Sequence, residues 1–339
     1  VRYNSDGTLD SGFGSGGKVI TSLGSLDSGG CAVAIDPDGK IVVAGYSASS
    51  PYNYDFALIR YTTEGTLDPA FGTAGKVVTH VRSVNSKDIG CGIALQSDRK
   101  IVVAGYSAYP SGGVGSDFAL IRCASDGTLD SAFGTAGKIT THIGGSNSMD
   151  VGRKVVLQSD GKIVVTGYSS DGVSGDFALV RYTSDGMIDF GFGSGGKVTA
   201  PPGSGSTIAL QSDGKILAAG YNAIVRYTGD GMIDSSFGSG GNTTAPLEAG
   251  FSIALQSDGK IIFAGYSVIS NQGHFSTVRY TADGILDTEF GSAGKVSTHM
   301  GSNTYDSGYA AVLQSDGKII VAGRSVSSGH YAFAVVRYK

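Results

Sequence analysis

The 339-residue sequence contains no tryptophan, only seven prolines, and three cysteines, Cys31, Cys91 and Cys123. Three cysteines are too few and too odd in number for a disulfide framework, and no C-x-x-C pair signals zinc, so the redox compartment stays open. Without tryptophan, carbohydrate stacking has to rest on tyrosine, of which there are 17. Charge is scarce as well: Asp, Glu, Lys and Arg make up 16%, where roughly 25% is usual. The balance of 25 basic against 29 acidic residues gives a net charge of −4. No basic block is present to neutralise a row of phosphates, which argues against nucleic acid as a partner. Apolar residues come in runs of a few, far short of the roughly 18 to 20 that a spanning helix needs, so no membrane insertion is expected. The chain opens at Val1 with neither an initiator Met nor a charged-then-apolar leader. The expectation is that any signal peptide has been removed or lies outside this segment.

What is abundant is glycine, 55 residues of 339, about twice the average share of roughly 7%. Glycine at that level disfavours a mostly helical chain, and its placement is periodic. The segment DGKIVVAGYS, Asp38 to Ser47, returns with one to three changes as DRKIVVAGYS from Asp98, DGKIVVTGYS from Asp160, DGKILAAGYN from Asp213, DGKIIFAGYS from Asp258 and DGKIIVAGRS from Asp316, six copies in all. Arg-Tyr recurs at Arg2, Arg60, Arg122 (with Cys123 in place of Tyr), Arg181, Arg226, Arg279 and Arg337, at intervals of 58, 62, 59, 45, 53 and 58 residues. A third marker, D-G-x-[LI]-D-x-x-F-G-x-x-G, follows each of the first six Arg-Tyr positions, with Glu64 in place of the first Asp in the second copy. A fixed period of this size signals a stacked or circular array.

Each unit reads as four short strands, shown by the second: Gly92 to Leu95, Lys100 to Ser107, Phe118 to Cys123 and Lys138 to His142. Asp-Gly in five of the six links between the first two strands is a hairpin signal, because glycine supplies the positive φ of the turn. The strands are apolar on both faces (Val33, Ala34 and Ile35; Ile41, Val42, Val43 and Ala44), so each small sheet is expected to be covered on both sides. Four-stranded antiparallel sheets repeated around an axis make an all-β, six-bladed β-propeller. It is expected as a single domain over 1–339, with blades near 23–80, 81–142, 143–201, 202–246, 247–299, and 300–339 completed by 1–22. Lys18 to Ser22 is a fourth strand without a first three, and the last unit has three without a fourth. The N-terminal strand is therefore expected to join the C-terminal blade and close the ring. Val1-Arg2-Tyr3 duplicates Val336-Arg337-Tyr338, and both cannot fill one slot. Either the chain was cut from a longer array or its first three residues lie loose.

The markers D-G-T-L-D-x-x-F-G and Q-S-D-G-K-I-V-V-A-G resemble the delta-60 repeat family of bacterial β-propellers over essentially the whole chain. The order G-x-A-x-x-x-D-G-K-I-x-V-A is also similar to the NHL-type propeller unit, which places the first strand of each blade innermost. The resemblance implies a secreted or cell-surface bacterial module and carries over no catalytic residue. The fourth unit departs from it, with Asn222-Ala223 in place of a long loop and Asn242 in place of the fourth-strand Lys.

Near-identity of the D-G-x-L-D-x-x-F-G loops favours packing: Leu67 and Phe71 as anchors, Asp68 as a turn cap, glycines in left-handed conformation. The D-x-D-G at Asp36 lacks the length and terminal Glu of a calcium loop. The loops between second and third strands differ between units and supply Tyr52, Tyr54, Tyr109, Asp171, His274 and His330, a composition suited to adaptable polar recognition. Solvated loops that have merely drifted are the alternative. Asp88, Asp150, Glu248 and Asp306, with Asp27 one step displaced, precede the inner strands. They form either a partial carboxylate ring at the channel mouth, where a cation such as calcium could sit, or simple acceptors for their own loop amides. His80, His142 and His299 share a T-H context but close outer strands of three different blades, too far apart for one zinc ion. No metal site is assigned on that ground. Cys31 and Cys91, at matching inner-strand positions, are read as small buried thiols rather than a disulfide. No G-x-S-x-G elbow, Asp box or phosphate loop is present, and no catalytic residue is assigned.

Two functions remain. The first is an extracellular, non-catalytic binding or scaffold module contacting a glycan, a protein or another copy of itself through the variable loops. The second is a secreted hydrolase or lyase using the carboxylates, with His274 or His330 as base. Fold analogy does not choose between them.

Overall fold

The computed structural model describes every residue except 25, 110–114, 173–174, 201–202, 204 and 302–303. The described part is all β. The first group of strands is β1 (Asp27–Ile35), β2 (Ile41–Ser50), β3 (Asn53–Tyr61) and β4 (Lys76–Thr79). The second is β5 (Lys87–Leu95), β6 (Ile101–Ala108), β7 (Ser116–Cys123) and β8 (Lys138–Thr141). The third is β9 (Met149–Leu157), β10 (Ile163–Ser170), β11 (Gly175–Tyr182) and β12 (Lys197–Ala200). A shorter fourth group holds β13 (Thr207–Leu210), β14 (Ile216–Gly220), β15 (Ala223–Tyr227) and β16 (Asn242–Thr244). Then come β17 (Ala249–Leu255), β18 (Ile261–Ile269), β19 (Gln272–Tyr280) and β20 (Lys295–Thr298), and finally β21 (Thr304–Leu313), β22 (Ile319–Ser327) and β23 (His330–Tyr338).

Within a group the strands pair in chain order. In the second, Ile93 faces Val103, which faces Ile121, and Leu120 faces Ile139, all antiparallel. Single parallel bridges, Tyr54 to Lys87 and Ser116 to Met149, tie the third strand of one group to the first of the next. Strand β7 is buried along its whole length, as expected for a sheet covered on both faces. Between the first two groups Val42, Ala44, Phe56 and Leu58 pack with Ile101, Val103, Ala119 and Ile121. The hairpin turns take the positive φ that Asp-Gly encodes, and where Arg99 replaces the glycine it adopts φ 67°. Its guanidinium there meets Asp38 of the preceding turn at 2.7 Å.

The conserved-looking loop and the Arg-Tyr marker form one device. Arg122 Nε donates to Asp130, eight residues on, at 2.8 Å, and its guanidinium lies 4.5 Å from the centre of the Phe133 ring. It also donates to the carbonyl of Ser184 in the next loop, while Gly134 N–H donates to the Asp185 carbonyl at 3.1 Å. Gly186 needs to be glycine, since its φ is +86° and a Cβ would lie 2.7 Å from the Phe133 ring. Arg60, Asp68 and Phe71 repeat the arrangement, as do Arg226, Asp234 and Phe237. Asp68 also caps its turn by accepting the Ala70 N–H at 3.1 Å. The Lys40 ammonium, with Arg60 beside it, holds the Asp68 carboxyl below its ordinary range, and Lys260 and Arg279 do the same for Asp287. A depressed folded pKa contributes stability above the unfolded value of about 3.9 that is lost as pH falls through the folded value. We expect urea midpoints to drop below about pH 4, and to drop less steeply in a Asp68→Asn, Asp287→Asn chain. Parallel slopes would contradict this.

The chain falls into two compact units, one of 1–165, 169–174 and 181–188, the other of 166–168, 175–180 and 189–339. At the N-terminus the expected fourth strand does not appear: among the described residues 18–22 only Lys18 takes part in a bridge, with Gly14 and Ser15. An extended segment becomes a strand only with a partner, and here it has none. The last group likewise has three strands. Phe333 of β23 is 64% exposed, whereas Phe56, Phe118, Phe177 and Phe275 at the corresponding position of β3, β7, β11 and β19 are fully buried.

Candidate functional site

The inner strands start earlier than their hydrophobic pattern indicates, and this changes where the carboxylates sit. Asp88, Asp150 and Asp306 lie inside β5, β9 and β21 and are fully buried, while Glu248 precedes β17 and is exposed. Each buried carboxylate takes the N–H of its own connecting loop: Val81 to Asp88 at 2.6 Å, Ile143 to Asp150 at 2.6 Å, Met300 to Asp306 at 2.8 Å. A hydroxyl from the adjoining second strand often adds a bond, Ser169 to Asp150 and Ser325 to Asp306, both at 2.6 Å. Asp27 instead receives the Tyr46 hydroxyl at 3.2 Å.

The T-H histidines end up beside these carboxylates. His142 Nδ1 is 2.9 Å from Asp117 Oδ1 of β7 and 3.4 Å from Asp150 Oδ2 of β9. The Asp117 carboxylate, with Asp150 behind it, raises the imidazole pKa. Arg82 forms an ion pair with the other oxygen of Asp117. His299 Nδ1 meets Asp306 at 3.0 Å, with His274 stacked on it at 4.5 Å between ring centres. Burial, then the neighbouring His299, lowers the His274 pKa. Near His80, burial and then the Asp88 charge raise the Asp55 pKa. Three histidines thus belong to three local groups. The sequence reading considered only an ion shared by the three and missed the partners of each, although Asp117, His142 and Asp150 repeat the spacing of Asp55, His80 and Asp88 (25, then 8 residues).

A second feature was not anticipated. The inner strands carry a β-bulge between Gly30 and Ala32, Gly90 and Gly92, Gly250 and Ser252, and Gly308 and Ala310. A bulge re-aims one side chain, and the bulged residue is Cys31, Cys91, Phe251 and Tyr309 respectively, different where its surroundings repeat. Cys31 is exposed and Cys91 half-buried rather than both buried, because the bulge turns them off the sheet; both thiols are free. In the C-terminal unit the bulge builds an aromatic cluster. Phe251 lies 5.2 Å from Tyr309 and 6.2 Å from Tyr266, and Tyr266 lies 5.8 Å from Tyr305. Arg324 is over Tyr309 at 5.5 Å and Tyr331 at 5.3 Å.

Of the other loop residues singled out from sequence, Tyr52 is exposed on the β2–β3 turn. Tyr54 lies within β3 against Tyr46 at 5.5 Å and Lys87 at 5.1 Å. Tyr109 is covered by the Arg82 guanidinium at 4.3 Å. Asp171 is an exposed loop residue, and His330 is exposed at the start of β23, opposite Ser327. Parts of two variable loops, 110–114 and 173–174, lie outside the described residues.

A family model described as "Domain of unknown function (DUF5122) beta-propeller" matches residues 1–13, 37–71, 96–133, 158–192, 211–237, 256–290 and 314–339. No curated relative matches the sequence. Among solved structures, a protein of unknown function from Dyadobacter fermentans aligns at 12% identity with a TM-score of 0.54, over 94% of this chain and 96% of that one. Sqt1 from Chaetomium thermophilum aligns at 12% and 0.51, over 91% and 71%. A glucose dehydrogenase aligns at 10% and 0.50, over 91% and 99%. At these identities the likeness concerns the fold alone.

Proposed function

The chain belongs to the DUF5122 beta-propeller family, and on that premise we propose that it is a non-catalytic binding or scaffold module whose ligand is a glycan, a protein or a second copy of the chain. The observation that carries this reading is the contrast between two kinds of position. The Arg, Asp and Phe that latch each loop to the next, such as Arg122, Asp130 and Phe133, repeat from unit to unit, whereas the bulged inner-strand residues and the β2–β3-type turns differ, and they present exposed aromatics beside Arg324. Positions freed from the packing pattern and rich in tyrosine suit recognition. The hydrolase or lyase reading gains nothing from the geometry, because Asp88, Asp150 and Asp306 are each engaged by their own loop amides.

We further propose that the repeats are of the delta-60 type, that the protein acts at a bacterial surface or after secretion, and that six blades close through residues 18–22 beside β23. Support for closure comes from the slot those residues already occupy. Thr21 accepts the Tyr61 hydroxyl at 2.8 Å, as Thr141 of the fourth strand β8 accepts that of Tyr182 at 2.7 Å. Gly14 N–H donates to Glu64 at 2.8 Å, the same latch that joins other neighbouring repeats. Phe333 and Val335 are exposed where Phe56 and Leu58, their counterparts beside the fourth strand β4, are buried.

A glycan and protein binding screen tests the module. The chain is expected to retain at least one ligand whose affinity falls tenfold or more in Tyr305→Ala, Tyr309→Ala, in line with roughly 1 to 2 kcal/mol per aromatic contact. Asp98→Asn, Asp160→Asn in the opposite hairpin turns should leave it unchanged. No ligand, or equal loss in both variants, would refute the reading.

A further inference from the structure

We propose that Asp117, His142 and Asp150 form a binding site for one divalent cation of the zinc class. The site is independent of the recognition role above. It uses residues of three strand regions: Asp117 in β7, His142 one residue after β8, and Asp150 in β9. One donor atom from each lies within 4.8 Å of the other two.

The distances fit ligands around a small ion. Bonds of about 2.0 to 2.2 Å to imidazole and carboxylate place adjacent donors roughly 3.0 Å apart in octahedral and roughly 3.4 Å apart in tetrahedral geometry. The observed separations from His142 Nδ1 are 2.9 Å and 3.4 Å. One nitrogen and two carboxylate oxygens suit a borderline cation. Calcium would ask for six to eight oxygens.

The supporting groups bind the ligands from behind, as outer-shell donors do in metal sites. Arg82 holds Oδ2 of Asp117, leaving Oδ1 directed at the imidazole. Ser169 holds Oδ1 of Asp150 at 2.6 Å, and the Ile143 and Gly144 N–H groups fix its Oδ2 at 2.6 and 3.3 Å. Two carboxylates against one guanidinium leave a net charge of −1 around a neutral imidazole, a field that attracts a cation. Asp150 is fully buried, but the His142 side chain is 42% exposed, so an ion can enter and water can complete its coordination. Among the described residues this is the one group with three donors so close. In the related groups His274 replaces the third-strand aspartate, and Asp55 and Asp88 do not close on His80 to the same degree.

The competing occupant is a proton, an imidazolium N–H shared by the two carboxylates. Equilibrium dialysis of the chelator-treated full chain against Zn2+ and Co2+ separates the two, with bound metal counted by elemental analysis. The expected result is one ion per chain, with affinity at least tenfold weaker in His142→Gln and unchanged in His299→Gln, whose circular dichroism and melting should match the parent. If His142→Gln does not fold, the parent alone decides. In its imidazole NMR spectrum, Zn2+ should shift the His142 resonances and leave those of His299 in place. Absence of uptake, uptake that ignores His142→Gln, or His142 resonances unmoved by saturating Zn2+ would overturn the site.

Discussion

Phe133→Ala is expected to cost about 3 to 5 kcal/mol of unfolding free energy, the range for emptying a buried aromatic site. The ring is fully buried, lies under Arg122, and touches the next repeat, where Gly186 leaves no room for a side chain. Three losses therefore coincide: apolar area leaves the core, the guanidinium loses its aromatic face, and the latch between neighbouring repeats loosens. Collapse of the loop cannot fill the gap, because Gly134 and Arg122 donate to backbone carbonyls of the next loop and so fix the spacing of the two loops. Against a typical stability of roughly 5 to 15 kcal/mol, such a loss is a large fraction of the whole. The control is built into the sequence. The loop between β11 and β12 reads D-F-G-F-G from Asp189, and register puts Phe192 in the buried position while Phe190 is 78% exposed. Phe190→Ala should change stability by less than about 0.5 kcal/mol. Urea unfolding of both variants checks the pair, and a Phe133→Ala cost below about 1 kcal/mol would show that the latch does not couple the repeats.

Periodicity made the strand groups readable, because a turn chemistry as specific as S-D-G-K repeats at every hairpin. The loop with Leu67, Asp68 and Phe71 was readable as packing for the same reason. What escaped was the function of Arg60 and its counterparts, used as a ruler although the partner eight residues on was part of the next marker. The early halves of the inner strands escaped too. Asp88, Ile89 and Gly90 read as loop because a glycine and a bulge at Cys91 break the alternation that betrays a strand. The same break concealed the position at which repeats differ most, since a bulged side chain leaves no periodic trace. The His142 group was hidden by distance along the chain, Asp117 and Asp150 being on strands of adjoining repeats. Only the recurrence of the Asp55, His80 and Asp88 spacing could have exposed it.

The proposed completion of the last group by residues 18–22 carries the second large effect, and a shared recognition face depends on it. If residues 18–22 add the missing strand to β23, Thr21 should face Phe333 and Val19 should face Val335, matching Thr79 opposite Phe56 and Val77 opposite Leu58. Only every second amide of an antiparallel edge strand is paired, so the Val19 and Thr21 amides would donate to β23, as those of Val77 and Thr79 face Leu58 and Phe56 of β3, and their exchange would require that pairing to open. Amide hydrogen exchange of the native chain, followed at Val19 and Thr21 and at Val77 and Thr79 in the same sample, measures this directly. The two pairs of amides are expected to be protected to within about tenfold of each other, each at least about 10³-fold slower than an unfolded chain. Exchange at unfolded-chain rates at Val19 and Thr21, with Val77 and Thr79 still protected, would contradict closure.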